Sequence, residues 1–185
     1  MEIKAYAVLV LPFVVLIYLA FLLFIRPPRP VIQATLLGGL TMGIINVLAD
    51  LLAYYANWWH YDLSGLILHL PLPFYATPIL IYGGVGYLLI WRFWRGRGRW
   101  FALLLLIGIP LFRAFTDFFG ADVSHSSYAV WTSPLAALLN LLQWLIAFYA
   151  GYFVFRLLAP ARVAPAMTTQ RDERDKQEAK AFPES

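Results

Sequence analysis

The chain has 185 residues, of which 62% are hydrophobic and 13% charged, against about a quarter charged in an ordinary soluble domain, which argues against a water-soluble globule. It contains no cysteine, so disulfides, thiolate metal sites, thiol nucleophiles and iron–sulfur clusters are excluded together. The net charge of +4 lies in short loops beside apolar blocks, where it reads as an orientation signal rather than a nucleic-acid surface.

The apolar blocks are about as long as a bilayer is thick, roughly 20 residues each, and lack the period-two alternation of a barrel strand. They are therefore predicted helices, because lipid cannot satisfy an unpaired backbone group. The first runs from Ile3 to Ile25 and stops at Arg26-Pro27-Pro28-Arg29-Pro30, a run that a helix does not cross. No small-residue cleavage pattern follows it, so it reads as a retained span and not a signal peptide. The second runs from Val31 to Ala56, the third from Pro73 to Trp94, the fourth from Trp100 to Phe119 and the fifth from Pro134 to Leu158. The expected fold is an all-α polytopic membrane bundle of five transmembrane helices over residues 1–160, followed by a polar tail of mixed charge over 161–185.

Short cytoplasmic loops are enriched in Lys and Arg. Arg26 and Arg29 follow the first span, Arg92, Arg95, Arg97 and Arg99 the third, and Arg156 and Arg162 the fifth, whereas Asn57 to Leu72 and Gly120 to Ser133 contain no Lys or Arg. The expectation is a multi-pass protein of the cell membrane with its N-terminus outside and its C-terminus in the cytoplasm. Aromatic residues agree with two interfaces, Tyr54, Tyr55, Trp58, Trp59, Tyr61, Tyr128 and Trp131 marking one, and Trp91, Trp94 and Trp100 the other.

Shifted onto itself by 67 positions, the chain superposes Asp50 on Asp117, Tyr61 on Tyr128, Tyr82 on Tyr149 and Gly84 on Gly151, with Asn46 on Arg113. The second and third spans and the fourth and fifth then read as two parallel copies of a helical hairpin, with the first span added outside them. Such repeats place a site at their mutual interface.

Ionisable groups within a span are functional candidates because they cost several kcal/mol unless paired. Asp50 and Asp117 lie toward the outer ends of the second and fourth spans and are the candidate catalytic acids. Arg113 precedes Asp117 by one turn and shares its helical face, so that the two can pair; Asn46 stands in the same relation to Asp50. Asn140 and Gln143 on the fifth span and Thr77 on the third complete a polar set reaching toward one pocket in the outer half of the bilayer. The competing reading makes Arg113 and Asp117 a satisfied ion pair and Asn46, Asn140 and Gln143 interhelical glue. Asp50 tips the balance toward a site, since no basic residue stands within a turn of it.

The three histidines, His60, His69 and His125, lie in the outer loops near Asp62 and Asp122. A metal site built from His60, His125 and an aspartate is the weaker alternative, because no His pair has helix-face ligand spacing. No metal and no cofactor are therefore expected.

The segment from Ala49 to Asp62, with Asp50, Trp59-His60-Tyr61 and Asp62 followed by Gly65 and Leu70-Pro71-Leu72, resembles the lycopene cyclase domain of the small heterodimeric type and related carotenoid-biosynthesis membrane proteins. The resemblance covers about the middle third of the chain. Where that family carries two glutamates this chain has Pro73 and Phe74, so the acid falls to Asp50 or Asp117. The resemblance implies an apolar isoprenoid or carotenoid-like ligand and acid-catalysed cyclisation or hydration. Its pocket would be built from Asn46, Tyr54, Asn57, Trp59, His60, Tyr61, Arg113, His125, Tyr128 and Asn140, with ring faces stabilising cationic charge. The alternative is a non-catalytic membrane subunit or small carrier whose polar residues serve helix packing, with a membrane-protein partner or a second copy of the chain.

Overall fold

The computed structural model describes residues 3–94, 96–125 and 128–160. Arg95 and the tail from residue 161 onward, including Arg162, lie outside the described residues. Five helices, α1 (Ile3–Ile25), α2 (Arg29–Tyr55), α3 (Leu72–Phe93), α4 (Arg99–Val123) and α5 (Ala136–Leu158), are long and apolar enough to cross a membrane. α1 ends where Arg26 takes a left-handed backbone, φ 50°, and α2 begins after Pro28, whose extended backbone cannot continue a helix. α4 extends beyond Phe119, closing with a wider π turn over Phe119–Val123 that Ser124 caps through its hydroxyl on the Phe119 carbonyl at 3.0 Å.

The chain is mostly helical, as expected, with one small addition. The α2–α3 and α4–α5 connections each contain a short strand, β1 (Trp59–Tyr61) and β2 (Ala129–Trp131), paired antiparallel with Trp59 opposite Trp131 and Tyr61 opposite Ala129. The pair satisfies the backbone groups of two loops that sit over the bundle end.

α2 is the central element, packing against α3 on one side and α5 on the other, while α4 packs against α3 and α5, and α1 leans on α3 from outside. Glycine makes the two α2 seams close. A Cβ on Gly38 would lie 2.7 Å from the Gly151 carbonyl of α5, and one on Gly39 would collide with the Ile79 carbonyl of α3, the small-residue contact by which helices approach in apolar surroundings. Below the site, Tyr87 fills the core, fully buried against Phe148 and Phe155, and donates its hydroxyl to the Phe148 carbonyl at 2.7 Å. The outward residues are large and apolar, among them Phe13, Leu23 and Phe24 on α1 and Leu104, Phe112 and Phe115 on α4. So extensive an exposed apolar surface suits lipid rather than water.

Candidate functional site

The site is a cavity of about 490 Å³ at the strand-covered end of the bundle, lined from all five helices and both strands. Its size falls within the range of small-molecule sites, about 300–1,000 Å³. π-helical turns recur around it: Tyr6 and Val10 come from the π turn of α1, Pro78 from that of α3 and Gly120 from that of α4. A π turn re-aims side chains by widening the helix, which is why such turns cluster at functional sites.

Asp50 sits at one pole of the cavity and is 5% exposed. Its Oδ1 accepts from Trp59 Nε1 at 3.2 Å and Gln143 Nε2 at 3.1 Å. Its Oδ2 accepts from Tyr61 Oη at 2.9 Å and Tyr75 Oη at 2.6 Å. The two oxygens are chemically distinct. Oδ1 faces two N–H groups that only donate, so it can only accept, whereas Oδ2 faces two hydroxyls that donate or accept. A proton on this carboxyl therefore belongs on Oδ2, where Tyr61 and Tyr75 can receive it. Gln143 also donates to Asn46 Oδ1 at 3.0 Å, and Asn46 returns its amide to the Met42 carbonyl at 2.9 Å. No basic residue touches Asp50 among the described residues.

Arg113 and Asp117 form the other pole. Arg113 Nη2 meets Asp117 Oδ1 at 2.6 Å, with the side chains 25% and 28% exposed. Nη1 donates to Thr116 Oγ1 at 2.9 Å, and Trp144 Nε1 donates to Asp117 Oδ2 at 2.6 Å. The guanidinium lies over the rings of Trp144, at 4.8 Å, and Tyr82, at 5.4 Å, contacts that orient a partly desolvated cation. Asn140 completes this side by donating to the Ala114 carbonyl at 3.3 Å.

Between the poles the wall is aromatic. Tyr6 lies against Phe74 with centroids 4.1 Å apart, Phe74 meets Tyr128 edge-on, and Tyr6 hydrogen-bonds Thr77. Tyr61 lies outside the helices, and burial of its hydroxyl, followed by the charge of Asp50, raises its pKa well above the usual value near 10.

Of the residues singled out in the sequence, Asn46, Asp50, Trp59, Tyr61, Arg113, Asp117, Tyr128 and Asn140 line the one cavity. Tyr54, Asn57, His60 and His125 do not line it. His60 is the middle residue of β1, and strand alternation turns it outward while Trp59 and Tyr61 face in. The Tyr54 ring is engaged by His69, stacked at 3.9 Å. Asn57 is a turn residue at φ 54°, exposed, its carbonyl held by Thr132. His125 is exposed at φ 48°, its ring nitrogen 3.1 Å from the Ala121 carbonyl. No group of three metal-ligating side chains occurs among the described residues. Sequence reasoning missed Tyr75 and Trp144, the hydrogen-bond partners of the two aspartates.

Comparison with protein families, curated proteins and solved structures finds no match for this chain.

Proposed function

We propose that the chain is a membrane protein that takes the end group of an apolar isoprenoid or carotenoid-like lipid into this cavity, with Asp50 as the acid acting on it. The observation that carries the reading is that Asp50 and Asp117, from two different helix pairs, line a single aromatic-walled cavity. Protonation of a terminal double bond needs a proton donor in a dry pocket and a surface that tolerates the resulting cation. Oδ2 of Asp50 and its two tyrosine hydroxyls supply a donor that can be recharged through Tyr61, which belongs to the strand pair outside the helices. The cation would then be lost by ring closure with proton release, or by addition of water with loss of one of the water's protons.

The charge pattern supports insertion with the N-terminus outside, which puts the cavity in the outer half of the bilayer. Two parallel hairpin copies, α2–α3 and α4–α5, fit a cavity lined from both. One contact favours the packing alternative: Gln143 joins α5 to Asn46 and Asp50 of α2 through buried polar atoms, as interhelical glue does. Packing alone, however, gives no reason for the open volume beside the carboxylate.

The test is pigment analysis of a carotenoid-producing host expressing the chain. Wild type should change the pigment composition, and Asp50→Asn, which keeps size and polarity but cannot supply the proton, should not. Identical pigments with and without the wild-type chain would overturn the catalytic reading.

A further inference from the structure

We propose that the cavity selects an isoprenoid end group carrying a neutral oxygen acceptor, a ketone or aldehyde carbonyl, and that the terminal nitrogens of Arg113 hold that oxygen. The proposal rests on the reading of the cavity as a lipid site. A guanidinium carries five N–H donors. Arg113 uses one on Nη1 for Thr116 and one on Nη2 for Asp117, and its Nε is buried without a partner. The hydrogens left for a ligand are the second ones on Nη1 and Nη2, on a side chain that keeps a quarter of its surface and lines the cavity. Its planar group is held in place by Asp117 and by the rings of Tyr82 and Trp144, so these donors have a fixed direction.

Charge decides which acceptor they suit. The positive charge of Arg113 is already matched by Asp117 at 2.6 Å, and the remaining lining acid is Asp50. The wall thus offers directed donors without net positive charge. A carboxylate or phosphate would bring an unmatched negative charge into a poorly solvated space whose lining cation is already paired with Asp117, which is costly. A plain hydrocarbon would cover the donors and leave them unpaired. A carbonyl satisfies them and adds no charge.

Binding of four probes to the purified full chain in detergent tests this, read by quenching of Trp59, Trp131 and Trp144, all of which line the cavity. The first pair is β-carotene and canthaxanthin, the same skeleton without and with ring ketones; the second is retinal and retinoate, the same polyene ending in a neutral aldehyde or a carboxylate. Canthaxanthin is expected to bind about tenfold more tightly than β-carotene, the scale of one satisfied hydrogen bond, and retinal more tightly than retinoate. In the double variant Arg113→Leu, Asp117→Leu, which strands no charge, the canthaxanthin preference should vanish. Equal wild-type affinity for the two carotenoids overturns the inference and leaves the lipid reading standing, and tighter retinoate than retinal overturns it equally. Failure of both carotenoids to bind overturns both. Should the double variant not fold, the wild-type ratios alone decide.

Discussion

Gln143 on α5 sets a single amide nitrogen between Asn46 Oδ1, at 3.0 Å, and Asp50 Oδ1, at 3.1 Å, both on α2. The two acceptors stand one helical turn apart, so one side chain fixes the carboxylate and closes the α2–α5 seam together. Gln143→Leu would leave a buried Asn46 oxygen unpaired and Asp50 Oδ1 with Trp59 alone. The expected loss is about 1–3 kcal/mol of stability, read as a lower midpoint in detergent thermal unfolding. An unchanged midpoint would show that the bridge does not form.

Arg113 and Asp117 should behave as one unit. Asp117→Asn strands a cation among Tyr82, Thr116 and Trp144, and the cost falls between that of surface and fully buried pairs, about 2–4 kcal/mol. The double change Arg113→Leu, Asp117→Leu is expected to recover much of that loss. Strictly additive effects in the double-mutant cycle would refute the coupling.

The glycine seams give a paired test. Gly151→Ala would push a methyl into the Gly38 carbonyl, Met42 and the Tyr87 hydroxyl, whereas a methyl on Gly108 meets nothing within 4 Å. The first is expected to split α2 from α5 and abolish a monodisperse folded species. Gly108→Ala is expected to be neutral or to stabilise by up to about 1 kcal/mol. Size-exclusion profiles that match for the two variants would contradict the seam.

Tyr61 should resist ionisation. Its folded pKa is raised, so below about pH 10 it is protonated in both states and contributes nothing to pH dependence. Above that pH the unfolded chain loses the proton first and stability falls as pH rises. In an alkaline absorbance titration, Tyr61→Phe is therefore expected to leave the tyrosines ionising near pH 10 unchanged in number, and to lessen the loss of stability above that pH. A variant missing one normally titrating tyrosine would show Tyr61 to be exposed.

The five helices were legible because the pattern that marks them is local: an apolar run of bilayer length, ended by Arg26-Pro27-Pro28 or by a polar loop. Asp50 was legible for the same reason, as an acid inside such a run. Its partners were not. Tyr75 stands 25 residues away and Trp144 stands 27 from Asp117, and in sequence each is an ordinary aromatic at a membrane level. The three-residue strands are set by cross-loop pairing, which no local pattern carries. The outward direction of His60 is hidden for a different reason. Alternation in Trp59-His60-Tyr61 turns the histidine outward once the segment is extended, but the segment read as an aromatic belt. The tyrosine hydroxyls also answer the absence of a basic residue within a turn of Asp50.

Insertion and orientation stand on loop charge. A cytoplasm-only reporter is expected to be active at residue 160 and within the loop near Arg97, and inactive near Ser64. Activity near Ser64 would invert the protein and move the cavity to the inner leaflet.

The most direct measurement is the lipid content of the purified protein. From a carotenoid-producing host, mass spectrometry of organic extracts should find about one isoprenoid per chain. Val10→Trp, which adds bulk to the cavity wall from α1, should lower that content several-fold while the fold persists. Absence of any stoichiometric isoprenoid in wild type, or equal content in Val10→Trp, would contradict binding in this cavity.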